Sequence, residues 1–271
     1  TLSIKMSYNI QVKFIFKLTC IFSYKDLILM DITVIKFGGT SLSNDKNLNQ
    51  AAQKTIEFLK QDQKVVAILS AQGKTTDNLL SEVKKLSQNP NKRELDMLVS
   101  VGEQISVSKF AILLNELGYS AVSLTGWQAG IITDSQYTEA KIQDMYINRI
   151  WQELEKNDVV VIAGFQGIDT NNNITTLGRN GSDTTALAIS AALEQKECYI
   201  FTDTDGVYDK DPHKNCKAKK FNYISYDEME KLAKAGAKVL HDRCIKVAKK
   251  YKIKIIVKST FNESNGTIVG D

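Results

Sequence analysis

Short, uninterrupted apolar runs alternating with amphipathic helical stretches constrain this chain more than any other feature. VVAIL at 65–69, DVVVIAGF at 158–165 and KIIV at 254–257 lack the polar alternation of a half-exposed strand. They read as strands buried on both faces, as in a parallel sheet covered by helices. Strands are predicted over 32–37, 64–69, 120–125, 158–163, 197–202 and 253–257. Between them, 45–60 places Leu48, Ala52, Ile56 and Leu59 on one helical face, with Ser43 as cap. Further helices are predicted over 94–117, 144–156 and 238–251. The capping box SYDE at 225–228 opens another, running towards Gly236. This alternation argues a three-layer α/β/α sandwich with a central, mostly parallel sheet, forming one domain lobed around a cleft.

Composition supports that class and removes others. With 271 residues, 43% of them hydrophobic and 24% charged, the chain is an ordinary globular protein with ample core. Its net charge of +4 is concentrated: residues 1–30 carry Lys5, Lys13, Lys17 and Lys25 against Asp26, leaving +1 for the rest. No basic stripe remains to suggest nucleic acid. The run NIQVKFIFKLTCIFSY is interrupted by Lys13 and Lys17 and precedes no small-residue cleavage site, so it is too short and too charged for a membrane span or signal peptide. Met30 reads as the natural start, and residues 1–30 as a leader of non-native origin or without fixed structure. Cys20, Cys198, Cys216 and Cys244 form no C-x-x-C pair, which argues against a metal or disulfide framework and for a reducing cytosol.

In open α/β sheets ligands bind beyond the carboxyl ends of strands, and the polar, glycine-bearing loops of this chain fall there. VIKFGGTSLS at 34–43 ends a strand with Lys36, Gly38 and Gly39. Glycine lets backbone approach a ligand closely, and N–H groups at such a turn suit anionic oxygens. A phosphate cradle and a plain turn with a solvated lysine both stay open on those residues. Similar loops follow at 70–77, 164–167, 175–186 and 203–212. In LGRNGSDTT, Arg179 offers a planar fork for a carboxylate or phosphate, and Asp183 falls in the first turn of a helix, where the dipole stabilises an anion. Asp203 and Asp205 lack the terminal glutamate of a calcium loop, while Tyr208 could stack on or wall off a base. Glu103 sits inside an otherwise apolar helix and needs a cationic partner, from the protein or from a substrate. Lys238, at a helix start, is dipole-disfavoured unless an anion shares the place; His241 reads as structural. Two lysines, an arginine and glycine loops on one edge, without a nucleophile–histidine pair, point to phosphoryl transfer, which needs positioning and charge neutralisation.

These segments resemble the aspartokinases. KFGGTS (36–41), SAQGKTTDNLL (70–80), RELDMLVSVGEQIS (93–106), TGWQAGI (125–131), VIAGFQG (161–167), TTLGRNGSDTTA (175–186), TDTDGVYDKDP (202–212) and ISYDEMEKLAKAGAKVLH (224–241) occur in order, so the resemblance runs from Ile32 to Val269. Single motifs are shared across the amino-acid kinase superfamily; the ordered set, above all RELDMLVSVGE and GAKVLH, is specific to aspartokinases. The resemblance implies the amino-acid kinase fold and ATP-dependent phosphorylation of the side-chain carboxylate of L-aspartate to 4-phospho-L-aspartate, the first step towards lysine, threonine and methionine. It implies ATP with Mg2+, no nucleic-acid or membrane partner, and a cytoplasmic homodimer pairing through catalytic domains.

Carried over residue by residue, it implies that Lys36 stabilises the phosphoryl group in flight, with Asp183 as its catalytic companion. Phe37, Gly38 and Gly39 belong to the nucleotide site, the glycines cradling phosphate. Ser41, Thr76, Glu103, Arg179 and Asp183 hold aspartate, Arg179 at a carboxylate, Glu103 and Asp183 at the ammonium side. Thr202, Asp203, Tyr208, His213 and Lys238 lie around ATP, and no protein ligand for Mg2+ is implied. Asn180 stands where the family has glycine, His213 where an arginine commonly contacts nucleotide, and Asp242 where proline is usual. FNESNGTIVGD closes the chain where aspartokinases continue into small βαββαβ regulatory modules. The expectation is a catalytic domain, isolated or naturally short, that does not respond to lysine or threonine. Two alternatives stay open: a kinase of the same fold acting on glutamate or N-acetylglutamate, and a silent aspartate- or nucleotide-binding domain. Glu103 argues against an N-acetylated substrate, whose nitrogen carries no charge.

Overall fold

The structure, a computed structural model, describes residues 30–212, 214–215, 217–235 and 239–271. The leader, but for Met30, lies outside these residues, as do His213 and Lys238. From Ile32 onward the described residues build an eight-stranded sheet and a four-stranded sheet.

The apolar runs became strands because both of their faces are covered. β1 (Ile32–Phe37) pairs in parallel with β2 (Lys64–Leu69) and with β9 (Glu197–Thr202), so the first strand is central. β2 continues to β6 (Val159–Ala163) and then β3 (Ala121–Leu124); β9 continues to β11 (Lys254–Ser259), β12 (Thr267–Val269) and β10 (Tyr223–Ile224). Only β11 and β12 run antiparallel among these neighbours. On one face, Ile35, Phe37, Val65, Ala67, Leu69, Val159 and Val161 meet α1 (Asp45–Leu59) and α4 (Val101–Glu116) through Leu48, Ile56, Val107 and Phe110. Phe37 is fully buried, stacked on Phe201 with centroids 5.0 Å apart and tilted against Phe110 at 5.9 Å. The other face carries α6 (Gly181–Ala192), packed on β1, β2 and β9, with α8 (Asp242–Tyr251) against it and α7 (Tyr226–Lys234) beyond. Side chains alternate along a strand, so Lys36, between Ile35 and Phe37, faces α6.

The expected sandwich is present, and several local readings change. The N-cap of α1 is Asn44, whose side chain accepts from Asn47 N at 2.9 Å, not Ser43. The long helix expected over 94–117 is two, α3 (Lys92–Val99) and α4, jointed at Ser100. At that joint Gln166 Nε2 donates to the Ser100 carbonyl at 2.8 Å. Lys92–Glu116 has the length and hydropathy of a membrane span, yet half of its most apolar window is buried inside the fold. A helix unforeseen in the sequence, α2 (Thr75–Leu86), follows β2. The helix expected from 144 starts later, as α5 (Asn148–Leu154), because β5 (Ile142–Met145) claims the first residues. β5 belongs to the small sheet, also unforeseen, with β4 (Ile131–Thr133), β7 (Gln166–Ile168) and β8 (Ile174–Thr176) in the order β5-β4-β7-β8. The last helix begins at Asp242, with His241 extended as its N-cap.

Removing the Phe37 ring opens a cavity that neither neighbouring strand can close. Phe37→Ala is expected to lower stability by about 3–5 kcal/mol, read as a fall in the urea midpoint at unchanged m-value.

Candidate active site

At the carboxyl ends of the central strands lies a cleft of about 760 Å³. β1 delivers Lys36 and, just past its end, Gly38 and Gly39; β2 leads to Ser70 and β6 to Phe165; β9 ends at Thr202 and Asp203. The helical side adds Thr76, Asp96 and Glu103, and the start of α6 adds Arg179, Asn180 and Asp183.

Lys36 Nζ lies 2.6 Å from Asp183 Oδ1, with the two side chains only 10% and 4% exposed. Asp183 reaches it from the first turn of α6, where the helix dipole favours a carboxylate. The sequence reading gave Asp183 a catalytic place beside Lys36 and a place at the ammonium side of the substrate; the structure shows it paired with the lysine. Gly39 is needed for space, not for a left-handed backbone: its φ is −58°, but a Cβ there would stand 2.7 Å from the Ala71 carbonyl oxygen. The Gly38 N–H is already spent on the Phe201 carbonyl at 3.2 Å.

Glu103 is 3% exposed. Gly102 lets α4 press close to Ala71, where a Cβ on the glycine would come within 2.8 Å of the alanine Cβ. In that position Glu103 Oε1 accepts from Ala71 N at 3.0 Å, while Oε2 has no hydrogen-bond partner among the described residues. Burial pushes the Glu103 carboxyl up to about 8, against the smaller opposing effect of the Ala71 N–H. A half-satisfied carboxyl facing a cleft has room for a donor that the described residues do not supply.

Arg179 is exposed in the cleft lining and makes no ion pair or hydrogen bond among the described residues. Asn180, beside it, sits in the left-handed region at φ 56° and ψ 26° and forms the N-cap position of α6. Asparagine tolerates that conformation, so glycine is not required there. Thr202 Oγ1 donates to Asp203 Oδ1 at 3.1 Å at the end of β9.

Three expected site residues do not line the cleft. Phe37 is core. Ser41 is fully buried, its hydroxyl accepting from Thr260 Oγ1 at 2.7 Å. Tyr208 donates its phenol to Asp205 Oδ1 at 2.5 Å, and that bond together with burial pushes the phenol up to about 12. Asp205 is in turn 3.1 Å from Lys220 Nζ, which fastens the loop to its own neighbours and not to the cleft. Among the residues that line it without having been expected there are Asp96, His241 and Arg243. His241, read as structural, both caps α8 and faces the cleft; Arg243 Nη1 donates to the Leu177 carbonyl at 2.8 Å. Asp96 carries a sequence signal: a seven-residue spacing to Glu103 puts both on one face of the single helix expected over 94–117, although the structure has a joint at Ser100 between them. Among the described residues no group of three or more His, Cys, Asp or Glu is placed to hold a metal ion.

The profile of the amino acid kinase family matches residues 31–259, and the chain belongs to that family. It is 47% identical over 240 residues to the aspartokinase of Geobacillus stearothermophilus, covering 89% of this chain and 59% of that protein. With the aspartokinase of Helicobacter pylori the identity is 46% over 238 residues, covering 88% and 59%. The chain thus spans 59% of the length of these curated relatives. The crystal structure of aspartate kinase from Synechocystis matches with a TM-score of 0.78 at 40% identity, covering 88% of this chain and 40% of that one. E. coli aspartokinase III in complex with aspartate and ADP matches at 0.80 and 25% identity, covering 89% and 65%.

The raised Glu103 carboxyl has a consequence for stability. Between pH 4.5, the ordinary carboxyl value, and about 8, the folded protein keeps a proton that the unfolded chain has lost. Folding stability from this group therefore falls as pH rises through that window. In the absence of ligand, Glu103→Gln is expected to gain on the wild type from pH 5 to 8 in parallel thermal melts. Melting curves with the same pH dependence in both proteins would contradict the assignment.

Proposed function

We propose that residues 31–271 form the catalytic unit of an aspartokinase, transferring the γ-phosphoryl group of ATP to the side-chain carboxylate of L-aspartate. The observation that carries this reading is the presence, in one cleft, of the Glu103 carboxyl and the Arg179 guanidinium, neither fully satisfied among the described residues. Together they offer a carboxyl that an incoming ammonium would draw back into its ionised form, and a fork for a carboxylate, matching the two charges of an α-amino acid. The identity to aspartokinases and the E. coli relative's complex with aspartate and ADP support it.

In this reading Lys36 stands where charge develops on the transferring group, and Asp183 fixes the direction of its ammonium. A side-chain carboxylate oxygen of aspartate attacks the γ-phosphorus as the bond to the β,γ-bridging oxygen breaks, and ADP departs with that electron pair. No general base is required, because the attacking carboxylate is ionised at neutral pH. Gly39 keeps the turn close enough for phosphate to approach, and Thr202 and Asp203 border the nucleotide end. Mg2+ usually binds through one or two carboxylates plus substrate phosphates. The exposed Asp203 suits one such position, and the cation would neutralise phosphate charge. His213 and Lys238 keep their expected nucleotide roles as part of the proposal. A second copy of the chain would pair along α3 and α4, whose Met97, Val101, Ile105 and Ile112 are 42–68% exposed. Buried free thiols at Cys198 and Cys244 suit a cytoplasmic setting, and the product would enter lysine, threonine and methionine synthesis.

The test is ADP release coupled to L-aspartate, L-glutamate or N-acetyl-L-glutamate. Turnover with aspartate alone supports the reading; turnover only with another acceptor, or none, overturns it. Lys36→Ala is expected to lower kcat by about 10²-fold or more while aspartate still binds. Aspartate titration of the variant also reports whether it folds, since Asp183 is left buried and unpaired. Arg179→Lys keeps the charge but loses bidentate pairing, so KM for aspartate is expected to rise about tenfold. A change confined to KM for ATP would move Arg179 to the nucleotide site.

A further inference from the structure

Asp96 is fully buried in α3 and borders the same cleft as Glu103, yet its hydrogen bonding is the opposite. Oδ1 accepts from Thr138 N at 3.0 Å and from Thr176 Oγ1 at 2.6 Å. Oδ2 accepts from Thr138 N at 2.9 Å and from Thr176 N at 2.9 Å. Both oxygens are occupied, so Asp96 has little left to offer a substrate. What it grips is the informative part. Thr176 is the last residue of β8, and Leu177, Gly178, Arg179 and Asn180 follow directly. Thr138 lies across from that loop: its carbonyl oxygen is 3.1 Å from where a Cβ on Gly178 would stand, and Gly178 has φ +75°. Ala140 N donates to the Thr176 carbonyl at 2.9 Å, and Arg243 holds the Leu177 carbonyl from the far side.

We propose that Asp96 is a positioning residue: by clamping Thr176 and Thr138 it sets where the 177–181 loop leaves the small sheet, and so where the Arg179 guanidinium stands. The reading of Arg179 as the acceptor-binding group comes from the proposed function. The clamp is a separate claim. A buried carboxylate without a cationic partner is retained in a fold when backbone donors meet it, and here those donors belong to the two segments that frame Arg179. A guanidinium displaced by about an ångström loses much of its bidentate pairing, an effect of up to about 10²-fold.

The test uses two variants of the full chain. Thr176→Val removes the Oγ1 bond to Asp96 and keeps the backbone bond; Asp96→Asn replaces one acceptor oxygen by a donor facing an N–H. Each is expected to raise KM for aspartate about tenfold with KM for ATP unchanged. The double variant should be no worse than Asp96→Asn alone, as for residues acting through one contact. Hydrogen exchange of the 178–181 amides, measured without substrate, should accelerate about tenfold in both variants. If Asp96→Asn fails to fold, Thr176→Val decides on the same readouts. Should wild-type protein not turn over aspartate, the functional reading fails while the exchange measurement still judges the clamp. Unchanged exchange at 178–181, or KM values for aspartate and ATP rising together, would overturn the proposal.

Discussion

A lysine buried in the middle of a sheet is the constraint around which this fold is arranged. Lys36 lies on a strand with neighbours on both sides, in register with Ile68 and Ile200, and its side chain is only 10% exposed at the edge of the cleft. Moving an ammonium out of water costs several kcal/mol unless a counter-charge meets it, and Asp183 does so from α6. Breaking such a pair by removing one partner typically costs about 3–5 kcal/mol, which pins α6 against β1. The start of α6 is thereby fixed in turn, and with it the left-handed turn at Asn180 and the approach of Arg179.

Three buried carboxylates border the cleft, and their hydrogen bonding separates them. Asp183 is matched by a charge. Asp96 is matched by neutral donors on both oxygens. Glu103 is matched on one oxygen only, and burial holds its proton to about pH 8. Residue type and burial are nearly the same in all three; the count of donors within reach is what differs.

That difference explains how much of the molecule is legible before folding. The central strands are legible because burial on both faces leaves an unbroken apolar run, and Lys36, Gly39, Arg179 and Asp183 are legible because their loops follow such runs. The small sheet is not, because strands of three or four residues are shorter than any window over which period 2 can be distinguished from chance. The carbonyl at the Ser100 joint is met by a side chain 66 positions away. Ser41 sits between two cleft-facing stretches in sequence but turns inward to Thr260, a partner 219 positions distant. The partner of the Tyr208 hydroxyl, Asp205 three residues earlier, is likewise not given by the spacing of that loop. Spacing along the chain gives the faces of elements, not the partners that claim individual atoms.

The central position of β1 has a kinetic side. Its pairing with β2 joins residues close in sequence, whereas its pairing with β9 joins Lys36 to Ile200. Closing a longer loop adds entropy cost only slowly, but pairings between distant segments slow the search for the native state. On a ribosome the first strand emerges with one edge that stays open until residue 200 has been made. Lys36 spends that interval beside a backbone edge that any extended segment could occupy. The arrival of β9 fills that edge and brings Thr202 and Asp203 to the cleft with it, so one late pairing both closes the edge and completes the lining.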